Sequence, residues 1–204
     1  VSLEFLAPTE LAAIVTYLEM RARPGITIPP SPLRLDPRPA ITPAAYRTLF
    51  RQVGAPWLWF SRLIDSDATL TALLHDPALA LFAILDETGT EVGMLELDFR
   101  VPGECELSFV GLIPRLAGQG HGRWLLAEAV TRAWARSGVT RVHVHSCTLD
   151  HPAALATYHR AGFIAYKRAI ERFADPRVIG ALAPEAAPQV ALLGTPGSPL
   201  ASCE

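Results

Sequence analysis

From Leu79 onward the chain alternates apolar and polar positions in blocks short enough for strands, with turn residues between them. Residues 79–86 (LALFAILD) predict a strand, ETGT a hairpin turn, and residues 91–100 (EVGMLELDFR) a second strand with Val92, Met94, Glu96 and Asp98 on one face. A PGE turn leads into CELSFVGLI, and the short connections make these three an antiparallel meander. Gly111 inside the third strand gives up packing and entropy, so it marks a bulge or a place where a ligand approaches the backbone. The period then changes. Leu126, Val130, Ala133 and Trp134 fall at i, i+4, i+7 and i+8, one stripe of a helix opened by residues 114–122 (PRLAGQGHG). Arg132 and Arg136 sit in its last turn and Gly138 follows it. Residues 141–147 (RVHVHSC) return to strand. Pro152 takes the first position of a helix with Leu155 and Tyr158 on one face and Gly162 at its end, and residues 163–173 form one or two further strands.

Before Leu79 the pattern is weaker. Residues 14–21 (IVTYLEMR) alternate as a strand, while residues 44–53 and 68–74 are helical. The proline-rich stretch 24–43 can be neither helix nor central strand, because each proline fixes φ and removes a donor, so it predicts an extended crossing. The aromatic run Trp57, Leu58, Trp59, Phe60 is read as core packing, with a substrate-pocket wall as the alternative. Residues 180–204, rich in Ala, Pro and Gly, are expected to form a disordered tail. Every motif occurs once. The expectation is a single α/β (α+β) domain over residues 1–178, followed by the tail at 179–204.

Composition narrows the function classes. At 204 residues with 50% hydrophobic positions, the chain buries roughly 70% of its extended surface, so its core needs no disulfide or metal. Cys105, Cys147 and Cys203 are an odd, scattered set, which argues against a disulfide framework and a zinc ribbon and suits a reducing cytoplasm. A net charge of −2 supplies no field for nucleic acid or acidic lipid. No apolar run reaches the length of a membrane span, and the first residues lack the regions of a signal peptide, so a cytoplasmic protein that binds neither nucleic acid nor membrane is expected.

Strand, then Gly118-x-Gly120-x-Gly122, then amphipathic helix presents backbone N–H groups and the positive end of a helix dipole to a phosphate. A Walker-type loop fails here, since Arg123-Trp124 stand where Lys and Ser/Thr would follow. A dinucleotide fingerprint fails too: Arg123 occupies its third glycine position, and the preceding strands form a meander.

The stretches CELSFVGLIPRLAGQGHGRWLL and LDHPAALATYHRAGF together resemble two successive motifs of the GNAT superfamily of acyl-CoA-dependent N-acetyltransferases. The first is similar to its strand, R/Q-x-x-G-x-G/A loop and helix; the second is similar to its Asn-Pro-x-Ala followed by Tyr-x-x-x-Gly-Phe. The likeness covers residues 79–173, which it implies are an acyl-CoA-binding core, with residues 1–78 contributing acceptor-site elements. It implies a mixed, mostly antiparallel central sheet flanked by helices, acetyl-CoA as the acyl donor, and transfer to a small-molecule or peptide amine. A homodimer is left open, and the alternative is a catalytically silent acyl-CoA-binding or interaction module on the same fold. Carried over by position, the resemblance places Val110, Gly111 and Leu112 beside the thioester and pantetheine arm. It places Ala117, Gly118, Gln119, Gly120, His121, Gly122 and Arg123 around the pyrophosphate. Two positions depart from the motif: Ala117 replaces its Arg/Gln, and His151 its Asn. Arg115 or Arg123 can restore charge, and imidazole remains a donor.

The chemistry sets its own demands. An amine of pKa about 10 is only about 0.1% neutral at pH 7, a deficit of about 4 kcal/mol that a base must help to meet. By the same resemblance Glu106 is the base, directly or through water, with Glu96 as the spare candidate; Tyr158 protonates the leaving thiolate. The Val110 N–H donates to the oxyanion if Gly111 permits a bulge. His143, His145 and Cys147 alternate on one strand, yet they lack a convincing fourth ligand, so no metal is expected. A covalent acyl carrier at Cys147 is a minor alternative.

Overall fold

The meander read from residues 79–112 lies at the centre of a seven-stranded sheet in the computed structural model, which describes residues 2–195 and 197. Its strands are β1 (Glu10–Met20), β2 (Arg34–Pro37), β3 (Leu79–Leu85), β4 (Glu91–Asp98), β5 (Glu104–Leu112), β6 (Arg141–Cys147) and β7 (Ile164–Ala174). They are ordered β2-β3-β4-β5-β6-β1-β7, and the only parallel neighbours among the described residues are β5 and β6. The domain is a single mixed α/β unit. The N-terminal strand is inserted between two strands from the C-terminal third and is antiparallel to both. The proline-rich crossing contributes β2 at the sheet edge, where Pro37 costs no second ladder.

Helices α1 (Pro43–Gly54), α2 (Ser61–Ile64) and α3 (Asp67–Leu74) follow β2. Thr42 caps α1, its hydroxyl accepting the Ala45 N–H at 3.3 Å, and Tyr46, Leu49, Phe50 and Val53 form the buried stripe. Helix α4 (His121–Ala135) covers the opposite face of the sheet, where the Trp134 indole meets the Met20 sulfur at 3.3 Å. With apolar layers on both sides, β4 is buried from Val92 to Asp98 rather than on one face only. Helix α5 (Ala154–Arg160) begins two residues later than Pro152 suggested, after a turn in which the His151 ring caps the Ala153 N–H through Nδ1 at 3.0 Å.

Gly111 serves a different purpose from the bulge expected there. The register shift in the β4–β5 ladder leaves Ser108 as the extra residue, between the pairs Glu96↔Phe109 and Leu97↔Leu107. A Cβ on Gly111 would lie 2.8 Å from Val53 Cγ1 and 3.1 Å from the Trp59 ring, so the glycine lets α1 and that indole approach the strand.

The expected disordered tail is also corrected, over residues 180–195. Arg177, 1% exposed, is paired with Asp175 at 2.7 Å and also donates to the carbonyl oxygens of Val190 (2.7 Å), Ala186 (3.3 Å) and Ala191 (3.5 Å). Leu182 and Ala187 are buried with Leu58, and Gln189 donates to the Pro56 carbonyl at 2.6 Å. The segment has no periodic apolar pattern because one buried guanidinium, not an apolar stripe, organises it. Residues 196 and 198–204 of the expected tail, with Cys203, lie outside the described residues. Truncation after Ile179 strips Arg177 of its carbonyl partners, and hydrogen bonds to charged groups contribute about 1.5–3 kcal/mol each. A loss of about 3 kcal/mol corresponds to a fall in Tm of roughly 6–12 °C, readable by calorimetry. A change under about 2 °C would show that this docking contributes nothing.

Candidate active site

The parallel β5–β6 ladder pairs Glu104 with Arg141, Cys105 with Val142 and Glu106 with His143, and stops there. Beyond Glu106, β5 stays hydrogen-bonded to β4 alone, and a cleft of about 710 Å3 opens between the diverging strands. The Ile113 N–H donates to Val92 on the β4 side at 2.9 Å. Strand alternation therefore turns the N–H groups of Val110 and Leu112 away from β4, toward the opening.

At one end of the cleft lies the glycine loop. Gly118 and Gly120 hold φ of +75° and +84°, conformations that a side-chain-bearing residue rarely adopts, and Gly120 caps α4 without any side-chain acceptor. The N–H groups of His121 and Gly122 thus have no partner among the described residues, while the Arg123 N–H turns back to the Gly120 carbonyl at 3.1 Å, and Gly118, Gly120, Gly122 and Arg123 line the cleft together with Ala117. Gln119 and His121 brace the loop instead: Gln119 donates to the Arg115 carbonyl at 2.9 Å, and His121 Nδ1 meets the Ser31 hydroxyl at 3.3 Å. Of the two arginines considered as substitutes at the motif's first position, Arg115 reaches Asp86 at 3.5 Å, whereas Arg123 lines the cleft. Arg160 of α5 lines it too, a second cation that sequence reasoning passed over.

The opposite wall is the aromatic run, which serves both as core and as pocket. Trp59 packs against Phe50 (5.8 Å) and Phe109 (5.2 Å) and donates its indole N–H to Asp150 at 3.2 Å. Asp150 also accepts from the Ser146 hydroxyl (2.8 Å) and the Cys147 N–H (2.9 Å), tying the end of β6 to this wall. Trp57 lies edge-on to His151, whose Nδ1 is occupied by Ala153, so the remaining donor of that ring is Nε2. Phe60 stacks on Phe173 of β7 at 5.2 Å.

The candidate acid and base lie in the same cleft. Tyr158 is half-buried, edge-on to Phe163 at 5.8 Å, and burial followed by the Asp150 charge raises its phenol well above the usual value, so it is a protonated donor at neutral pH. Glu106 is bonded through Oε1 to His145 Nδ1 at 3.2 Å, and that bond holds its carboxyl below the usual range. Glu96, the spare base, is sealed away: it is fully buried, accepting from the Tyr46 hydroxyl at 2.6 Å and from Arg62 at 2.8 Å, and it does not line the cleft. Burial and Asp150 push the Cys147 thiol up, away from the thiolate an acyl carrier requires. Among the described residues, no group of three His, Cys, Asp or Glu is arranged to hold a metal, and no helix is long and apolar enough to cross a membrane. His145, Asp150 and Glu171 lie in the cleft without having been singled out as site residues. The alternation of β6 marked His145 only as a failed metal ligand, and its meeting with Glu106 depends on a parallel pairing that no local pattern announces.

A model of the acetyltransferase (GNAT) family matches residues 45–163. No curated protein matches the chain in sequence. Among solved structures, the chain is similar to a GCN5-related N-acetyltransferase from Sphaerobacter thermophilus, with TM-score 0.61 and 18% identity, over 79% of this chain and 51% of that one. It is similar to another from Kribbella flavida, with TM-score 0.53 and 19% identity, over 79% and 57% of the two chains. It is also similar to spermidine N-acetyltransferase from Vibrio cholerae, solved in complex with CoA and spermine, with TM-score 0.54 and 18% identity, over 71% of this chain and 96% of that one. The chain thus spans little more than half the length of the first two.

Proposed function

Because the chain belongs to the acetyltransferase (GNAT) family, we propose that it is an N-acyltransferase carrying an acetyl group from acetyl-CoA to a primary amine. The observation that carries this reading is the convergence on one cleft of free strand amides, an uncapped glycine-loop helix terminus, a protonated phenol and an ionised carboxylate. Acetyl-CoA would supply the activated acyl group as its thioester, and the cleft fits it on the chain's own terms. The loop amides and the start of α4 suit a pyrophosphate, and no heavy atom lies within 4 Å of where a Cβ would stand at Gly118, Gly120 or Gly122. Arg123 and Arg160 add positive charge, and His151 can donate through Nε2 to the same molecule.

The chemical division of labour follows from the residues present. The Val110 N–H is placed to donate to the carbonyl oxygen as it gains charge. Glu106 and Tyr158 line the same cleft, and the reading gives the Glu106 side of it the proton that the amine loses and Tyr158 the proton that sulfur gains. The acceptor is a primary amine on a small molecule or peptide, admitted past the aromatic wall of Trp57 and Phe60. The test is release of free CoA thiol from acetyl-CoA with and without a panel of primary amines that includes spermidine and short peptides, with mass detection of the product. Amine-dependent release and an acetylated amine are expected. Binding of acetyl-CoA with no transfer to any amine would instead identify a silent acyl-CoA-binding module.

A further inference from the structure

Resting on that reading, we propose that the atom receiving the acceptor amine's proton is Nε2 of His145, and that Glu106 is a positioning residue that fixes the tautomer and charge of this imidazole. Two successive carboxylates of β5 reach β6 with the same offset. Glu104 accepts from its register partner Arg141 at 2.8 Å and also reaches one step on to His143 Nε2 at 3.4 Å, and Glu106 is paired with His143 but extends to His145 Nδ1 at 3.2 Å. Only the second pair stands where the strands part: Glu106 and His145 line the cleft, and Glu104 and His143 do not. The His145 side chain is 48% exposed, that of Glu106 32%.

The hydrogen bond decides which ring nitrogen is the base. An ionised carboxylate only accepts, so in the neutral ring Nδ1 carries the proton and Nε2 keeps its lone pair. Nε2 has no hydrogen-bond partner among the described residues. Basicity points the same way. Glu106 is the weaker base of the two, its carboxyl held below the ordinary range by the bond to His145. The imidazole is raised above its ordinary value, first by the Glu106 hydrogen bond and then, against burial, by the charges of Glu106, Asp150 and Glu171. A proton acceptor works best when its pKa lies near the operating pH, which favours the imidazole. The neighbours that set this are Glu106 on β5, Glu171 on β7, Asp150 after β6, and His143 and Cys147 on β6 itself. On β1 the Tyr17 ring lies 5.8 Å away, and the Lys167 ammonium of β7 lies 5.3 Å from the centre of that ring.

In this assignment the amine nitrogen forms the C–N bond, the C–S electron pair leaves on sulfur, the proton lost by nitrogen goes to His145 Nε2, and the proton gained by sulfur comes from the Tyr158 hydroxyl. The raised imidazole must be neutral to accept, so activity falls as pH drops through a value above 6.5.

Two measurements on the whole protein test the assignment. In the ligand-free protein, long-range 15N–1H NMR of the histidine rings is expected to show His145 as the Nδ1–H tautomer with a titration above 6.5 that moves down in Glu106→Gln. An Nε2–H tautomer, or a titration indifferent to Glu106→Gln, would overturn the pairing. In kinetics with acetyl-CoA and the fastest amine of the panel, His145→Gln is expected to lower kcat/KM about 100-fold and abolish the acid limb above pH 6.5. Glu106→Gln should cost about tenfold and shift that limb down. An acid limb below pH 5, or a larger loss in Glu106→Gln than in His145→Gln, would make the carboxylate the base. If no amine is turned over, the transferase reading fails while the NMR result still decides the Glu106–His145 pairing.

Discussion

Tyr158→Phe is expected to lower kcat about 100-fold while leaving the affinity for acetyl-CoA within a factor of about two, because it removes one proton and no shape. The thiolate of a departing coenzyme, with a pKa near 8.5 by analogy with cysteine, leaves poorly without a proton. The Tyr158 phenol lines the cleft and, held protonated by burial and Asp150, offers one at neutral pH. Its loss should be most severe where chemistry limits turnover, so single-turnover mixing of enzyme and acetyl-CoA against amine is the measurement of choice. An unchanged single-turnover rate would assign the leaving-group proton to water.

The second large effect concerns stability. Glu96 is fully buried on β4, satisfied only by the Tyr46 hydroxyl and the Arg62 guanidinium. Arg62→Ala leaves that carboxylate without a counter-charge, and breaking a buried pair from one side costs about 3–5 kcal/mol, or a fall in Tm of roughly 6–20 °C. Burial, and then Glu96 itself, pushes the Tyr46 phenol up, so tyrosine remains a neutral donor and cannot replace the missing charge. Adding Glu96→Gln to Arg62→Ala removes the orphaned charge and should recover a substantial part of the loss. Melting within about 2 °C of wild type for Arg62→Ala alone would show that the pair contributes little.

These two residues illustrate how much was legible in the chain. The meander, the glycine loop, α4 and β6 were readable because period and turn residues act over a few neighbours: β6 runs Arg141–Cys147 as expected. What escaped was decided by partners far away in sequence. Glu96 alternates like its neighbours, and nothing local says that Tyr46 and Arg62 close over it. The Arg177 hub joins Asp175 to carbonyls up to 14 residues on and carries no periodic signature. The β5–β6 splay, which makes the site, follows from a parallel pairing of strands separated by α4, and the bulge at Ser108 lies three residues before the glycine that advertised one.

The claim at the centre of this account is that the cleft between β5 and β6 binds acetyl-CoA through the glycine loop, and a calorimetric titration of acetyl-CoA into wild type and Gly120→Val tests it directly. Gly120 has φ +84° and open space where its Cβ would be, so valine strains the loop and crowds its amides without touching the core. The expected result is single-site binding by wild type and an affinity at least about tenfold weaker, about 1.4 kcal/mol, in a variant that stays folded with its melting temperature lowered only by the loop strain, about 1–3 kcal/mol or roughly 2–12 °C. No binding by wild type, or equal affinity in the folded variant, would contradict the account.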